Sequence, residues 1–303
     1  MTIERAVAQI KYKPWGSTYL QPWATAPAND GAIGELWYQR PTAGAPESAL
    51  LLKLLFTTEP LSIQVHPDDE FAQSIGLPNG KTEAWYILDA APGAQVAVGL
   101  KHSLTPQELR MSIADGSIAD LVQWRPVRKD DVIFVPAGTI HAIGAGIVLA
   151  EIQQRSDATF RLFDYGRQRE LHTENAVAVA ETGIARHRPS LRKFSDSRTL
   201  LIASPHFIFE RIELLPNSDW VLKTPPESWI LVIRGDADID VTHAALGDVI
   251  FADAQHINIS AGADGMTALL AYVGPNAYPE LLEQQYQTVP TPTAAALSYR
   301  PTL

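Results

Sequence analysis

The sequence predicts a mainly β protein folded as two successive β-domains, and three observations carry that prediction. Short apolar or alternating runs, separated by Gly, Pro, Asn and Asp, dominate the chain. They fall into two series on either side of a polar, basic stretch near 186–198. A weak internal repeat links the series: Asp-Val-Ile-Phe follows a turn at 131–134 and again at 248–251.

In the first series, Ala49–Phe56, Leu61–His66, Glu83–Leu88, Gln95–Val98, Val132–Val135 and Ile147–Ile152 read as strands at sandwich or barrel spacing. In the second, the runs are Phe207–Leu214, Trp229–Ile233, Ala237–Val241, Asp248–Phe251, His256–Ile259 and Thr267–Val273. A helical insert at about 101–123 interrupts the first series. Thr105 as N-cap, Pro106 at the first helical position and Glu108 three residues after the cap form a capping box. Leu109 and Ile113 stand at i, i+4. Ile118, Leu121 and Val122 suit a second short helix after Gly116, and the pair reads as a packing cap over one barrel end. The stretch 278–286, acidic and apolar, is expected to dock as a helix or to mediate contacts.

The 303 residues carry a formal net charge of −10 and no cysteine. No disulfide or thiolate metal site is available. No basic stripe suits a nucleic-acid surface, and no apolar run is long enough for a membrane span. The first residues lack the apolar core of a secretory signal, and a cytoplasmic location is expected. An anionic metabolite would have to be met by a few cations gathered in one pocket.

Side chains alternate across a strand, so Ser62, Gln64 and His66 share one face. Either that face lies in water or it lines a polar lumen. Lys53 interrupts a run, 49–56, that is otherwise apolar on both faces. Its ammonium must reach the strand edge or an anion. Lys81 and Glu83 follow the Asn79-Gly80 turn, and Glu83 opens an apolar strand. A strand ends at Pro136, Gly138 permits a tight turn, and His141 re-enters on the next strand. Gln64, His66, Glu83 and His141 together offer two imidazoles, a carboxylate and an amide oxygen, a set that suits a divalent ion such as zinc with an open position. Asp157, Arg161 and Arg167 are read in the loop after a strand bearing Glu151. With Lys53 and Ser62, the arginines would hold a phosphate through charge-assisted hydrogen bonds.

These pieces resemble the type I mannose-6-phosphate isomerases, zinc-dependent cupins, in their short bacterial branch. The matching segments are Leu61-Ser-Ile-Gln-Val-His-Pro67, Gly80-Lys-Thr-Glu83, Phe134-Val-Pro-Ala-Gly-Thr-Ile-His141 and Ser156-Asp-Ala-Thr-Phe-Arg161, joined by Lys-Pro-Trp-Gly at 13–16 and Gly34-Glu35-x-Trp37. The resemblance covers residues from about 10 to 175. It implies a bicupin of two jelly-roll barrels: a catalytic one over 1–190 and a degenerate one over 191–303. It implies one zinc ion per chain on Gln64, His66, Glu83 and His141. Lys53 and Ser62 match positions associated with substrate phosphate, with Arg167 a looser match. Arg161 matches an essential active-site arginine, and Lys81 and Asp157 match polar residues near the reacting carbons. The implied reaction interconverts mannose 6-phosphate and fructose 6-phosphate through a cis-enediol, in a monomer or homodimer whose partner is a small sugar phosphate. A cupin-type glucose-6-phosphate isomerase and a non-catalytic sugar-phosphate-binding cupin are the alternatives. Two departures stand out. Asp130 occupies a turn position where cupins place Gly, and the second half lacks the ligand set, so that His243 and His256 read as ordinary histidines.

Overall fold

The computed structural model describes residues 2–27, 31–42, 44–184, 189, 191–223, 225–253 and 256–285. The strands of the first half are β1 (Thr2–Arg5), β2 (Val7–Ser17), β3 (Ile33–Gln39), β4 (Leu50–Thr57), β5 (Ile63–Val65), β6 (Glu83–Ala90), β7 (Gln95–Leu100), β8 (Val122–Pro126), β9 (Val132–Val135), β10 (His141–Ile143), β11 (Ile147–Gln154) and β12 (Phe160–Phe163). Among them lie helices α1 (Asp69–Ser74), α2 (Pro106–Asp115) and α3 (Ile118–Leu121), and after them α4 (Thr173–Val179). The second half holds β13 (Arg192–Ser195), β14 (Arg198–Ala203), β15 (Phe207–Leu214), β16 (Asp219–Leu222), β17 (Ser228–Ile239), β18 (Thr242–Ala245), β19 (Val249–Asp253), β20 (Ile257–Val273) and β21 (Leu282–Gln285).

The expected mainly β architecture is present as three antiparallel sheets rather than as closed barrels. A six-stranded sheet runs β2-β3-β4-β11-β6-β9 and a five-stranded sheet runs β12-β5-β10-β7-β8. A ten-stranded sheet follows β1-β19-β17-β20-β15-β14-β13, with β16, β18 and β21 branching from it. Period-two alternation explains how they stack. In the fully buried β4, Leu50, Leu52, Leu54 and Phe56 face the second half and pack with Phe207, Phe209, Trp229 and Phe251. Leu55 faces the other way, toward Trp85, Val96 and Ile143, between the two smaller sheets. The outer face of the five-stranded sheet is covered by the insert, where Leu109, Ile113 and Ile118 meet Ile63, Val65 and Leu162.

The capping box closes as expected, with Thr105 accepting from Glu108 N and Glu108 accepting from Thr105 N. Several expectations need correction. Trp229–Ile233 and Ala237–Val241 belong to one strand, β17, and the runs at 256–259 and 267–273 belong to one 17-residue strand, β20. Backbone irregularities, not turns, explain the apparent breaks, because both strands carry β-bulges where they pair. The stretch from 278 contains strand β21 on β16 rather than a helix, and Tyr286 lies outside the described residues. The expected division near 190 falls between α4 and β13. The N-terminal strand β1 nevertheless pairs with β19, in the sheet of the second half.

Candidate metal centre and cavity

The sequence Val65-His66-Pro67-Asp68 ends β5 and starts α1, where Asp68 caps the helix by accepting from Phe71 N at 2.8 Å. The next loop is laid directly on this turn. Lys81 N donates to Pro67 O at 2.9 Å and Gly80 N donates to Asp69 Oδ1 at 2.8 Å. A Cβ at position 80 would sit 2.4 Å from the Asp68 carbonyl carbon, so only glycine permits the approach. The Pro136–Gly138 turn is tied to the same place, since Gly138 N donates to His66 O at 2.8 Å. Three stretches distant in sequence are thus stitched together through backbone groups, and their side chains meet.

Ligating atoms of His66, Glu83 and His141 all lie within 4.8 Å of one another, and the three residues are buried. His66 Nε2 is 3.4 Å from Glu83 Oε2, and His141 Nε2 is 3.4 Å from Glu83 Oε1. Each imidazole points its Nδ1 at a carbonyl: His66 at Ala158 O and His141 at Thr139 O, both at 2.8 Å. A carbonyl can only accept, so each Nδ1 carries the proton and each Nε2 presents a lone pair to the centre. Burial, reinforced by the charge of Lys81, pushes the His66 imidazole down to about 3, and burial likewise lowers His141. Both rings are therefore neutral at physiological pH. Burial opposes ionisation of Glu83, but Lys81 at 3.2 Å holds its carboxyl well below the usual range. The Trp85 indole N–H lies 3.2 Å from both Glu83 Oε1 and Glu151 Oε2 and links the two carboxylates.

The donor set fits a divalent ion on these observations: two neutral imidazoles oriented by second hydrogen bonds, and one ionised carboxylate. His66 Nε2 is buried with no hydrogen-bond partner, as expected of an atom reserved for a ligand. Gln64 sits beside them, its Nε2 3.3 Å from His141 Nε2 and its Oε1 3.4 Å from Ser62 Oγ. A half-turn of the amide would bring Oε1 to the centre.

A cavity of about 260 Å³ adjoins the centre. Five basic side chains (Lys13, Lys53, Lys81, Arg161, Arg169) and three carboxylates (Glu35, Glu151, Asp157) line it, a positive excess in a chain of net charge −10. Ser62 and Gln64 form part of the wall, so the polar face of 62–66 lines a lumen and does not lie in water. Lys53 is 3 % exposed and resolves the puzzle of its apolar strand: its Nζ is 3.0 Å from Glu151 Oε1, directly across in the β4–β11 register, and lies over the Trp37 ring. Arg161 stands on β12 rather than in a loop. It donates to Glu170 O at 2.8 Å and keeps a buried Nε without a partner.

Arg167 is a correction. After the left-handed pair Tyr165-Gly166 it turns to Pro60 O, Asp164 and Glu59 and does not line the cavity. Arg169, two residues on, does line it, held by two hydrogen bonds to Asp164. Lys13, Glu35, Thr159 and Arg169 were not assigned from sequence. Lys13 and Glu35 lie inside the two N-terminal signatures, which is the signal that was available. His243 is exposed and bonded to Asp238, and His256 is exposed, as expected of ordinary histidines.

No protein-family model matches the chain. It is 36% identical over 200 residues to the mannose-6-phosphate isomerase of Streptococcus mutans, covering 63% of each chain. It is 40% identical over 160 residues to mannose-6-phosphate isomerase ManA of Bacillus subtilis, covering 49% of this chain and 50% of that one. The matches thus span about half to 63% of the curated relatives' length. Among solved structures, mannose 6-phosphate isomerase from Bacillus subtilis superposes with a TM-score of 0.77 at 24% identity, covering 90% of this chain and 100% of that one. Phosphomannose isomerase from Salmonella typhimurium does so with 0.74 at 15% identity over the same shares. Over these stretches the sequence is similar to named mannose-6-phosphate isomerases, and over nearly its whole length the chain shares their fold.

Proposed function

We propose that the chain is a metal-dependent aldose-ketose isomerase that interconverts mannose 6-phosphate and fructose 6-phosphate. One observation carries the reading: a buried His-Glu-His centre lies directly behind Gln64 and Lys81, which line a cation-rich cavity of sugar size. The similarity to named isomerases supports it. His66, Glu83 and His141 would hold one zinc ion, with Gln64 as the fourth protein ligand. When bound, a divalent ion supplies Lewis-acid stabilisation of developing negative charge on sugar oxygens.

The chain's own groups do the rest. Lys53, Ser62 and Arg169 bind the phosphate and fix the position of C1 and C2. Lys81 and Arg161 add positive potential where the enediol forms. Asp157, at the cavity wall, carries the proton between C2 and C1, since Glu151 is already engaged by Lys53 and Trp85.

Metal-depleted protein, restored with single cations and assayed separately on mannose 6-phosphate and glucose 6-phosphate, tests this. Turnover of the mannose ester should return with zinc. Turnover of the glucose ester alone would assign the other isomerase, and tight binding without conversion would assign a sensor. His141→Ala should lose both metal and turnover; unchanged zinc by elemental analysis would remove His141 from the ligand set.

A further inference from the structure

A second polar cavity, of about 190 Å³, lies where the six-stranded sheet meets the ten-stranded one, away from the metal centre. Tyr86, Lys129 and Asp130 line it from the first half, and Arg211, Arg234 and Thr267 from the second, with Glu213 and Ile233 completing the wall. The backbone is specially arranged to bring these groups together. In β17, Trp229 and Leu231 face the first half, while Ile230 and Val232 face the apolar core of the second. Regular alternation would send Arg234 into that core with Val232. A bulge between Val232 and Arg234 adds one residue, so Arg234 falls opposite Thr267 and turns to the cavity instead. Across the seam, Asp130 adopts φ +71°, a left-handed conformation that Asp tolerates better than most side chains. There its Oδ1 accepts from Tyr86 OH at 2.8 Å, and Tyr86 OH lies 3.5 Å from Arg211 Nη1.

The charges do not balance locally. Arg211 is paired with Glu213 at 3.0 Å, and Asp130 is taken by Tyr86. Lys129 and Arg234 have no ion-pair or hydrogen-bond partner among the described residues. Thr267, 6 % exposed, has a buried hydroxyl oxygen with no hydrogen-bond partner. The buried hydroxyl lacks an acceptor and the exposed Lys129 and Arg234 lack a counter-charge, and a tetrahedral oxyanion would supply both.

We propose that this seam cavity binds a small phosphate-class anion, either free phosphate or a phosphate monoester, held by Lys129, Arg234 and the Thr267 hydroxyl. The inference does not depend on the isomerase reading. Because the ligand contacts both halves of the folded chain and neither half unfolded, it would also stabilise their association.

The test is titration of full-length, metal-loaded protein with inorganic phosphate, followed by calorimetry and by thermal unfolding. It is repeated in Lys129→Ala/Arg234→Ala, in Thr267→Val and in Lys53→Ala, the last to remove phosphate binding at the metal-centre cavity. In the Lys53→Ala background a phosphate-binding event should persist. The double substitution should weaken that event about tenfold or more, since each lost contact is a charge-assisted one. Thr267→Val, nearly equal in volume, should weaken it less. The double variant should keep the wild-type Tm without phosphate and the wild-type turnover. Glycerol phosphate in parallel separates the sources: tighter binding than inorganic phosphate assigns a monoester, and weaker binding assigns the free ion. Equal phosphate affinity in the double variant and its parent, or an equal response to chloride, would overturn the proposal.

Discussion

At the residue scale, the ion pair of Lys53 and Glu151 governs how the site should be probed. Both residues are 3 % exposed, and their charged atoms are 3.0 Å apart. Burial, followed by repulsion from Glu83, raises the Glu151 carboxyl, and Lys53 opposes both. Removing only the lysine strands a buried carboxylate, which costs about 3–5 kcal/mol in comparable pairs. Lys53→Ala should therefore lower the urea midpoint as well as raise KM for the phosphate substrate. Lys53→Met with Glu151→Gln should recover most of the stability and leave KM high. A double variant with wild-type KM would remove Lys53 from phosphate binding. The lysine was legible in the sequence because it breaks an apolar run. Its partner was not, because the β4–β11 register joins residues 98 positions apart and neither segment encodes that alignment. The same holds for Arg167 and Arg169. Two arginines two residues apart are equivalent as letters, and only the course of the Tyr165-Gly166 turn decides which one lines the cavity.

At the scale of the element, helix α2 was the most legible piece, since its signals are local. Thr105, Pro106 and Glu108 fix its start, and Gly116 ends it at φ +81°. Hydrogen bonds from Thr105 hold the Glu108 carboxyl below its ordinary value. A depressed folded value means that this contribution is complete above the unfolded carboxylate pKa and is lost as pH falls through the folded one. Glu108→Ala should therefore lower Tm at pH 7, and the gap from wild type should narrow as the pH is lowered through the carboxylate range. A gap of constant size would show that ionisation of Glu108 plays no part. The short helices α1 and α4, of six and seven residues, passed unnoticed because each offers less than two turns of periodicity. In β17 and β20, glycines such as Gly235 and Gly265 read as strand ends but occupy positive-φ positions within continuous strands. The His66-Glu83-His141 cluster was legible because it lies in compact local motifs, whereas Lys13 and Glu35 approach from β2 and β3, which carry no metal-like pattern.

On the scale of the whole molecule, the two halves are joined by an apolar face shared between Leu52, Leu54 and Tyr86 on one side and Phe209, Trp229 and Leu269 on the other, by polar contacts such as Glu227 with Ala49 N and Leu50 N, and by β1. Thr2–Arg5 pairs with Ile250–Asp253, Arg5 bonds to Asp248 and to the His243 carbonyl, and Ala6 N donates to Val249 O. Deleting residues 2–5 would strip these bonds and leave β19 an open edge. The expected outcome is a loss of a few kcal/mol in urea unfolding and self-association visible by light scattering, with metal content unchanged. A truncated chain as stable and monodisperse as the parent would show that β1 is dispensable.

That strand also sets an order on synthesis. Residues 2–5 leave the ribosome well before their partners at 250–253. At about 5–20 residues per second, the opening segment waits on the order of 12–50 s for its place in a sheet. The first half can bring His66, Glu83 and His141 together long before then, but β1 stays unpaired until β19 has been made. An interrupted nascent polypeptide would thus carry a free leading strand, a feature by which chaperones can tell it from the finished protein.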